Sequence, residues 1–298
     1  MNPLHSQVEF RGDGVTLIAD QWDPQAQGDG GSSIARKGIV LLLHGGGQTR
    51  HSWRSTGHSL AMDAWSAIAV DARGHGDSQW APDGNYGIDA LIADLGSIVD
   101  ELGEKPVLVG ASMGGMTSLI GLGENPKLAR GLVLVDIAPK VETDGTGEIM
   151  AFMTSGLDGF ETLDDAAAAV AAYTPNRRIK PNPQGLRKNL RLRDGRWYWH
   201  WDPAFLRQGD EPTRDANSIV QYKRARDAAA AITVPTMLVR GQQSKVVSEE
   251  GAKELLELIP TAKFVDVTGA GHMVAGDDND VFSGGLKEFL DGDVVASS

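Results

Sequence analysis

Gly110-Ala111-Ser112-Met113-Gly114 reads G-x-S-x-G, and its surroundings decide the fold. Before it, Lys105-Pro106-Val107-Leu108-Val109 has the length and composition of a buried strand. After it, Gly114-Gly115-Met116-Thr117-Ser118-Leu119-Ile120 begins a helix of small and apolar residues. A serine on a tight strand-to-helix turn projects its hydroxyl out of the fold, and flanking glycines let the backbone crowd there. A serine nucleophile needs that placement. The motif alone is weak evidence, and the strand and helix around it strengthen it.

A hydroxyl is a poor nucleophile unless a base takes its proton and a third group orients the base. Gly269-Ala270-Gly271-His272-Met273 follows the apolar run Phe264-Val265-Asp266-Val267, so His272 sits on a glycine-rich loop beyond a late strand. Between serine and histidine, Leu132-Val133-Leu134-Val135-Asp136 is a strand with a carboxylate at its carboxyl end. Upstream, Ile39-Val40-Leu41-Leu42-Leu43 runs into His44-Gly45-Gly46-Gly47. A glycine loop after a strand can aim backbone N–H groups at a developing oxyanion.

These segments resemble the α/β-hydrolase superfamily over nearly the whole chain. The order serine, aspartate, histidine is the order of that fold. His44-Gly45-Gly46-Gly47 is similar to its oxyanion-hole segment, Asp71-Ala72-Arg73-Gly74-His75-Gly76-Asp77-Ser78 to its D-x-R-G-H-G-x-S loop, Gly110 to Gly114 to its nucleophile elbow, and Gly269-Ala270-Gly271-His272 to its histidine loop. The resemblance is to the capped branch with a serine nucleophile, which includes esterases, C–C bond hydrolases and cofactor-free perhydrolases. It implies an α/β fold, a mostly parallel eight-stranded sheet flanked by helices, with a helical cap inserted after the sixth strand.

Composition agrees with one enzyme domain. A chain of 298 residues can bury a large core. No apolar run is long enough to span a bilayer, and Met1-Asn2-Pro3-Leu4-His5-Ser6 does not begin like a signal peptide. The absence of cysteine excludes disulfides and thiolate sites and fits a cytoplasmic protein. A net charge of −12 argues against nucleic acid and anionic membrane as partners. The expected partner is a small-molecule ester, with a homodimer left open.

Val8-Glu9-Phe10 and Val15-Thr16-Leu17-Ile18-Ala19 flank Gly12-Asp13-Gly14, a hairpin signal. Residues 25–37 read as a glycine- and serine-rich surface loop. Ala67-Ile68-Ala69-Val70 is a strand and Ile88 to Leu102 a helix, and the alternation implies parallel pairing. Between about 140 and 230 the apolar β-runs stop and helix-like segments take over. Strand rhythm returns at Val234-Pro235-Thr236-Met237-Leu238-Val239. By the resemblance, residues 140–230 are the cap, and 1–139 with 231–298 are the core domain.

Two cap features could face substrate. Trp197-Tyr198-Trp199-His200-Trp201-Asp202 is dense in rings for a chain with seven tryptophans, although buried aromatics are usually core. Arg177, Arg178, Lys180, Arg187, Lys188, Arg191, Arg193 and Arg196 form either a solvated face or a cationic lid over an anionic substrate. His44 and His75 read as structural supports of their loops. His5, His51 and His58 show no metal-ligand pattern, so no metal or cofactor is expected.

The acid is the open point. Many relatives carry it in a G-x-x-D or G-x-x-S-D segment after the seventh strand, where this chain reads Gly241-Gln242-Gln243-Ser244-Lys245-Val246-Val247 without a carboxylate. The resemblance makes Asp136 the substitute, because the ends of the sixth and seventh strands are close in this fold. Ser112 as nucleophile argues against epoxide hydrolases and haloalkane dehalogenases, which place aspartate at the elbow. The expectation is acyl transfer to water: Ser112 attacks, His272 carries the proton, Asp136 orients His272, and the N–H groups of Gly46 and Met113 hold the oxyanion. Gly45, Trp197, Trp199 and His200 are expected against the substrate. A C–C bond hydrolase, a perhydrolase, or a small-molecule receptor on a hydrolase scaffold remain alternatives.

Overall fold

A computed structural model describes residues 3–25, 36–174, 182–207, 211–272 and 280–296, with backbone alone for 211–218 and 280–281. Most of the expected surface loop (residues 26–35) and the cations Arg177, Arg178 and Lys180 lie outside the described residues.

The first two strands, β1 (Leu4–Arg11) and β2 (Thr16–Asp23), form the antiparallel hairpin that Gly12-Asp13-Gly14 signalled. Strands and helices then alternate: β3 (Ile39–Leu43), α1 (Arg54–Met62), β4 (Ser66–Val70), α2 (Ile88–Leu102), β5 (Val107–Ala111), α3 (Met113–Glu124) and β6 (Gly131–Val135). An insertion follows, with α4 (Thr143–Thr154), α5 (Leu163–Tyr173), β7 (Leu190–Arg193), β8 (Arg196–Trp199) and α6 (Glu211–Ala231). The chain then resumes the sheet with β9 (Thr236–Gly241), α7 (Glu249–Leu258), β10 (Lys263–Val267) and α8 (Asp280–Phe289).

Eight strands make one sheet in the order β1-β2-β4-β3-β5-β6-β9-β10, parallel except where β1 and β2 join it. The central strands are apolar at every position because helices cover both faces. In β3, Ile39 and Leu41 enter one hydrophobic cluster while Val40 and Leu42 enter the other. In β6, Leu132 and Leu134 part from Val133 and Val135 in the same way. Parallel pairing brings the carboxyl ends of β3, β5, β6, β9 and β10 to one edge, where open α/β sheets place their ligand crevice. No described helix is long and apolar enough to cross a membrane.

The insertion departs from the all-helical expectation. Its β7 and β8 form an antiparallel hairpin closed by Asp194 (φ 47°) and Gly195 (φ 81°). Two left-handed residues in an Asp-Gly pair suit the tight turn whose twist matches the strands. Leu190 and Leu192 alternate with arginines along β7. Phe160 extends the hairpin by exchanging backbone hydrogen bonds with Trp197.

Candidate active site

Ser112 sits between β5 and α3 at φ 47°, ψ −112°, a conformation costly for any residue with a Cβ. The glycines around it have no space to spare. A Cβ on Gly110 would lie 2.5 Å from the carbonyl oxygen of Gly114, and one on Gly114 would lie 2.5 Å from that of Leu43. Close approach of α3 to the sheet therefore holds the strained turn, and Ser112 lines a cavity together with His272. No hydrogen bond joins Ser112 to His272 among the described residues; such contacts often tighten only with ligand bound.

Asp136 follows β6 and is also left-handed, at φ 49°. Its carboxylate is fully buried. Nδ1 of His272 donates to its Oδ2 at 2.6 Å, and the hydroxyl of Ser244 donates to the same oxygen at 2.5 Å. Oδ1 accepts the N–H of Gly241 at 2.9 Å. Ser244 thus occupies the acid's usual segment as a hydrogen-bond donor. Lys245 points elsewhere, pairing with Glu148 at 2.6 Å.

In the loop after β3, Gly45 N–H donates to Oε1 of Gln48 and Gly47 N–H to Nε2 of His75. Gly114 N–H donates to the carbonyl of His44. The N–H groups of Gly46 and Met113 have no protein acceptor among the described residues, and both residues line the cavity. Three buried histidines brace this region. Nε2 of His44 accepts from Ala72 N–H, Nε2 of His75 from Gly47 N–H, and Nδ1 of His200 from Gly76 N–H. Burial holds His44 down to about 4 and His75 to about 3, and it lowers His200 well below the usual histidine range. All three are neutral acceptors rather than bases.

Arg50 was not singled out by its sequence, because nothing local marks it. It is buried and pairs with Asp20, Asp71 and Asp77, tying the start of α1 to the D-x-R-G-H-G-x-S loop. Arg73 pairs with Asp94 on α2 at 2.6 Å and fixes the same loop from the other side.

The cavity measures about 940 Å³, within the range of ligand sites. Its wall is mostly apolar, with Ile137, Ile149, Phe152, Met153, Trp199 and Phe205 among its members. Trp199 and Trp201 stack at 5.0 Å and both line it, as does Gly45. Trp197 and His200, expected against substrate, do not line it. Trp197 lies under the Arg187 guanidinium, and His200 turns to the opposite side of the chain toward Gly76. Most of the described insertion cations are likewise engaged in structure. Arg191 pairs with Asp77, Arg193 lies over Trp80 and Arg196 pairs with Glu161. Lys188 alone of that series lines the cavity, joined from the core by Arg54 and His51. No Asp or Glu appears among the described lining residues, although the chain has 40 acids against 28 lysines and arginines. No group of three or more metal-ligating side chains occurs among the described residues.

A family model described as the α/β-hydrolase fold matches residues 38–278. The chain is 31% identical to an esterase of Mycobacterium tuberculosis over 80% of its own length and 78% of that protein's. It is 28% identical to the sn-1-specific diacylglycerol lipase of Mus musculus, over 84% and 80%. It is also 28% identical to the 2-(acetamidomethylene)succinate hydrolase of Mesorhizobium japonicum, over 77% and 80%. Among solved structures, an E-2-(acetamidomethylene)succinate hydrolase matches with a TM-score of 0.80 at 23% identity, over 97% of this chain and 100% of that one, a likeness of fold. The M. tuberculosis esterase matches with a TM-score of 0.74 at 27% identity, over 98% and 93%. The chain belongs to the α/β-hydrolase fold family.

Proposed function

We propose that this member of the α/β-hydrolase fold family is a serine hydrolase that cleaves a carboxylic ester through an acyl-enzyme. The observation that carries the reading is the 2.6 Å hydrogen bond from His272 to buried Asp136, beside a cavity that also exposes the strained Ser112. Ser112 Oγ attacks the ester carbonyl as Nε2 of His272 takes its proton. Asp136 holds the imidazole with Nδ1 protonated and stabilises the imidazolium that forms. The free N–H groups of Gly46 and Met113 receive the oxyanion. His272 then protonates the leaving alcohol, and water, deprotonated by the same imidazole, releases the acid. The chemistry needs only the chain's own groups and water.

The wall of the cavity supports an amphiphilic substrate. Its apolar side chains suit an acyl or alkyl portion, while a lining without carboxylates and with Arg54 and Lys188 suits an anionic substituent. Names of relatives point both ways, to a diacylglycerol and to a substituted succinate.

The test is turnover of p-nitrophenyl esters from acetate to decanoate by the protein and by Ser112→Ala. Turnover by the parent that the variant loses supports the reading. Equal turnover by both contradicts it, and ligand binding without any turnover favours a receptor on the same scaffold.

A further inference from the structure

Ser244 stands where many relatives of this fold carry the acid, and its surroundings give its hydroxyl a single orientation. The N–H groups of Val246 and Val247 donate to its Oγ at 3.1 and 3.2 Å. With both lone-pair directions occupied, its proton points to Oδ2 of Asp136, 2.5 Å away. That oxygen also receives Nδ1 of His272. Asp136 is fully buried, so protein donors must satisfy it. The loop bearing Ser244 is itself pinned. Ser244 N–H donates to Gly241 O, and Glu142 N–H, at the start of the insertion, donates to Val246 O. A side chain on Gly145 of α4 would collide with the Lys245 carbonyl, so the insertion rests directly on this loop.

We infer that Ser244 is the positioning residue of the Asp136–His272 pair. Its hydroxyl fixes the Asp136 carboxylate toward His272 and takes a share of the charge that would otherwise act on the imidazole alone. The inference rests on the reading of Ser112, His272 and Asp136 as the reacting groups. It also explains how an acid carried on β6 serves a histidine after β10: the loop between them supplies a donor in place of a carboxylate. A carboxylate at 244 would put two charges within hydrogen-bond distance, and the pair would retain a proton.

The test compares Ser244→Ala, Ser244→Thr and Ser244→Cys with the parent and with Asp136→Asn. Two readings are taken across pH: kcat and KM on p-nitrophenyl butyrate, and the rate of inactivation by a fluorophosphonate. Ser244→Ala is expected to lower kcat about 10-fold, the low end for loss of an orienting partner, with KM unchanged. Its acid limb moves to higher pH, because the unshared carboxylate stabilises the imidazolium more. Threonine keeps the donor and retains both the rate and the limb. Cysteine, a weaker donor, falls between alanine and the parent, and carries the test if the alanine variant does not fold. Folded alanine or cysteine variants with the parent's kcat and acid limb overturn the inference, as does a threonine variant that loses as much as alanine. Full activity in Asp136→Asn instead overturns the functional reading beneath it.

Discussion

The Asp136 carboxylate meets Nδ1 of His272 at 2.6 Å across 136 residues of chain. Strand order makes this possible: β6, β9 and β10 are consecutive parallel neighbours, so the loops that follow them converge. Under the proposed mechanism, Asp136→Asn keeps the shape and removes the charge that favours the productive tautomer. In a well-studied serine protease that change costs roughly 10⁴-fold in kcat. A loss of similar size in a folded Asp136→Asn protein, measured on p-nitrophenyl butyrate, is expected here.

The same geometry separates Ser244 from Lys245. The Lys245 side chain is 64% exposed and pairs with Glu148, whereas Ser244 touches Asp136. Lys245→Asp is therefore expected to leave Asp136→Ala inactive, while Ser244→Asp in that background restores part of the rate. Steady-state kinetics of the two double variants distinguish the positions.

Much of this was legible in the sequence, for identifiable reasons. Buried parallel strands read as apolar runs, so β3, β5, β6 and β9 could be placed from Ile39, Val107, Leu132 and Val234. The elbow around Ser112 and the loop of His272 are punctuated by glycine. The hairpin at Asp194-Gly195 carried a turn signal, but its strands are only four residues each, with apolar positions alternating with arginine in β7 and tyrosine in β8, too short to read as sheet inside a helix-like insertion. Within the aromatic run, alternation along the chain separates His200 from Trp199 and Trp201, which line the cavity, while Trp197, of the same parity as the tryptophans, lies under Arg187 instead. Ser244 and Arg50 act through partners more than 20 residues distant, as Asp136 and Asp71 show, and no local pattern reports such partners.

Acid should weaken the fold through its buried histidines. His44 is held down to about 4 and His75 to about 3, burial being the largest cause, against an ordinary value of about 6.5. Below about 6.5 the unfolded chain takes up protons that the folded chain refuses. Stability therefore falls as pH drops from about 6.5 toward 4, by up to about 1.4 kcal/mol per pH unit for each histidine. Denaturant midpoints at pH steps through this window should decline. In His75→Gln, which removes one such proton, the decline should be shallower.

The elbow tolerates no added methyl. A Cβ on Gly114 would lie 2.5 Å from Leu43 O, a backbone atom that cannot move aside alone. Gly114→Ala is expected to cost about 1–3 kcal/mol of stability and to lower activity further by displacing Ser112. Urea unfolding with parallel kinetics checks both.

Charge in the cavity should show in KM. Arg54 lines it and makes no ion pair among the described residues. Arg54→Gln is expected to raise KM for a p-nitrophenyl hemisuccinate several-fold and leave that of the matched neutral butyrate unchanged. The difference should shrink as salt screens the exposed charge. Equal effects on both esters would remove Arg54 from anion recognition.

Covalent capture of Ser112 tests the central claim most directly. Incubation with a fluorophosphonate, followed by intact mass and peptide mapping, should show one adduct on the peptide bearing Ser112. It should be absent in Ser112→Ala and greatly slowed in Asp136→Asn. No adduct on the folded protein, or an adduct that persists in Ser112→Ala, would contradict an acyl-enzyme mechanism at this site.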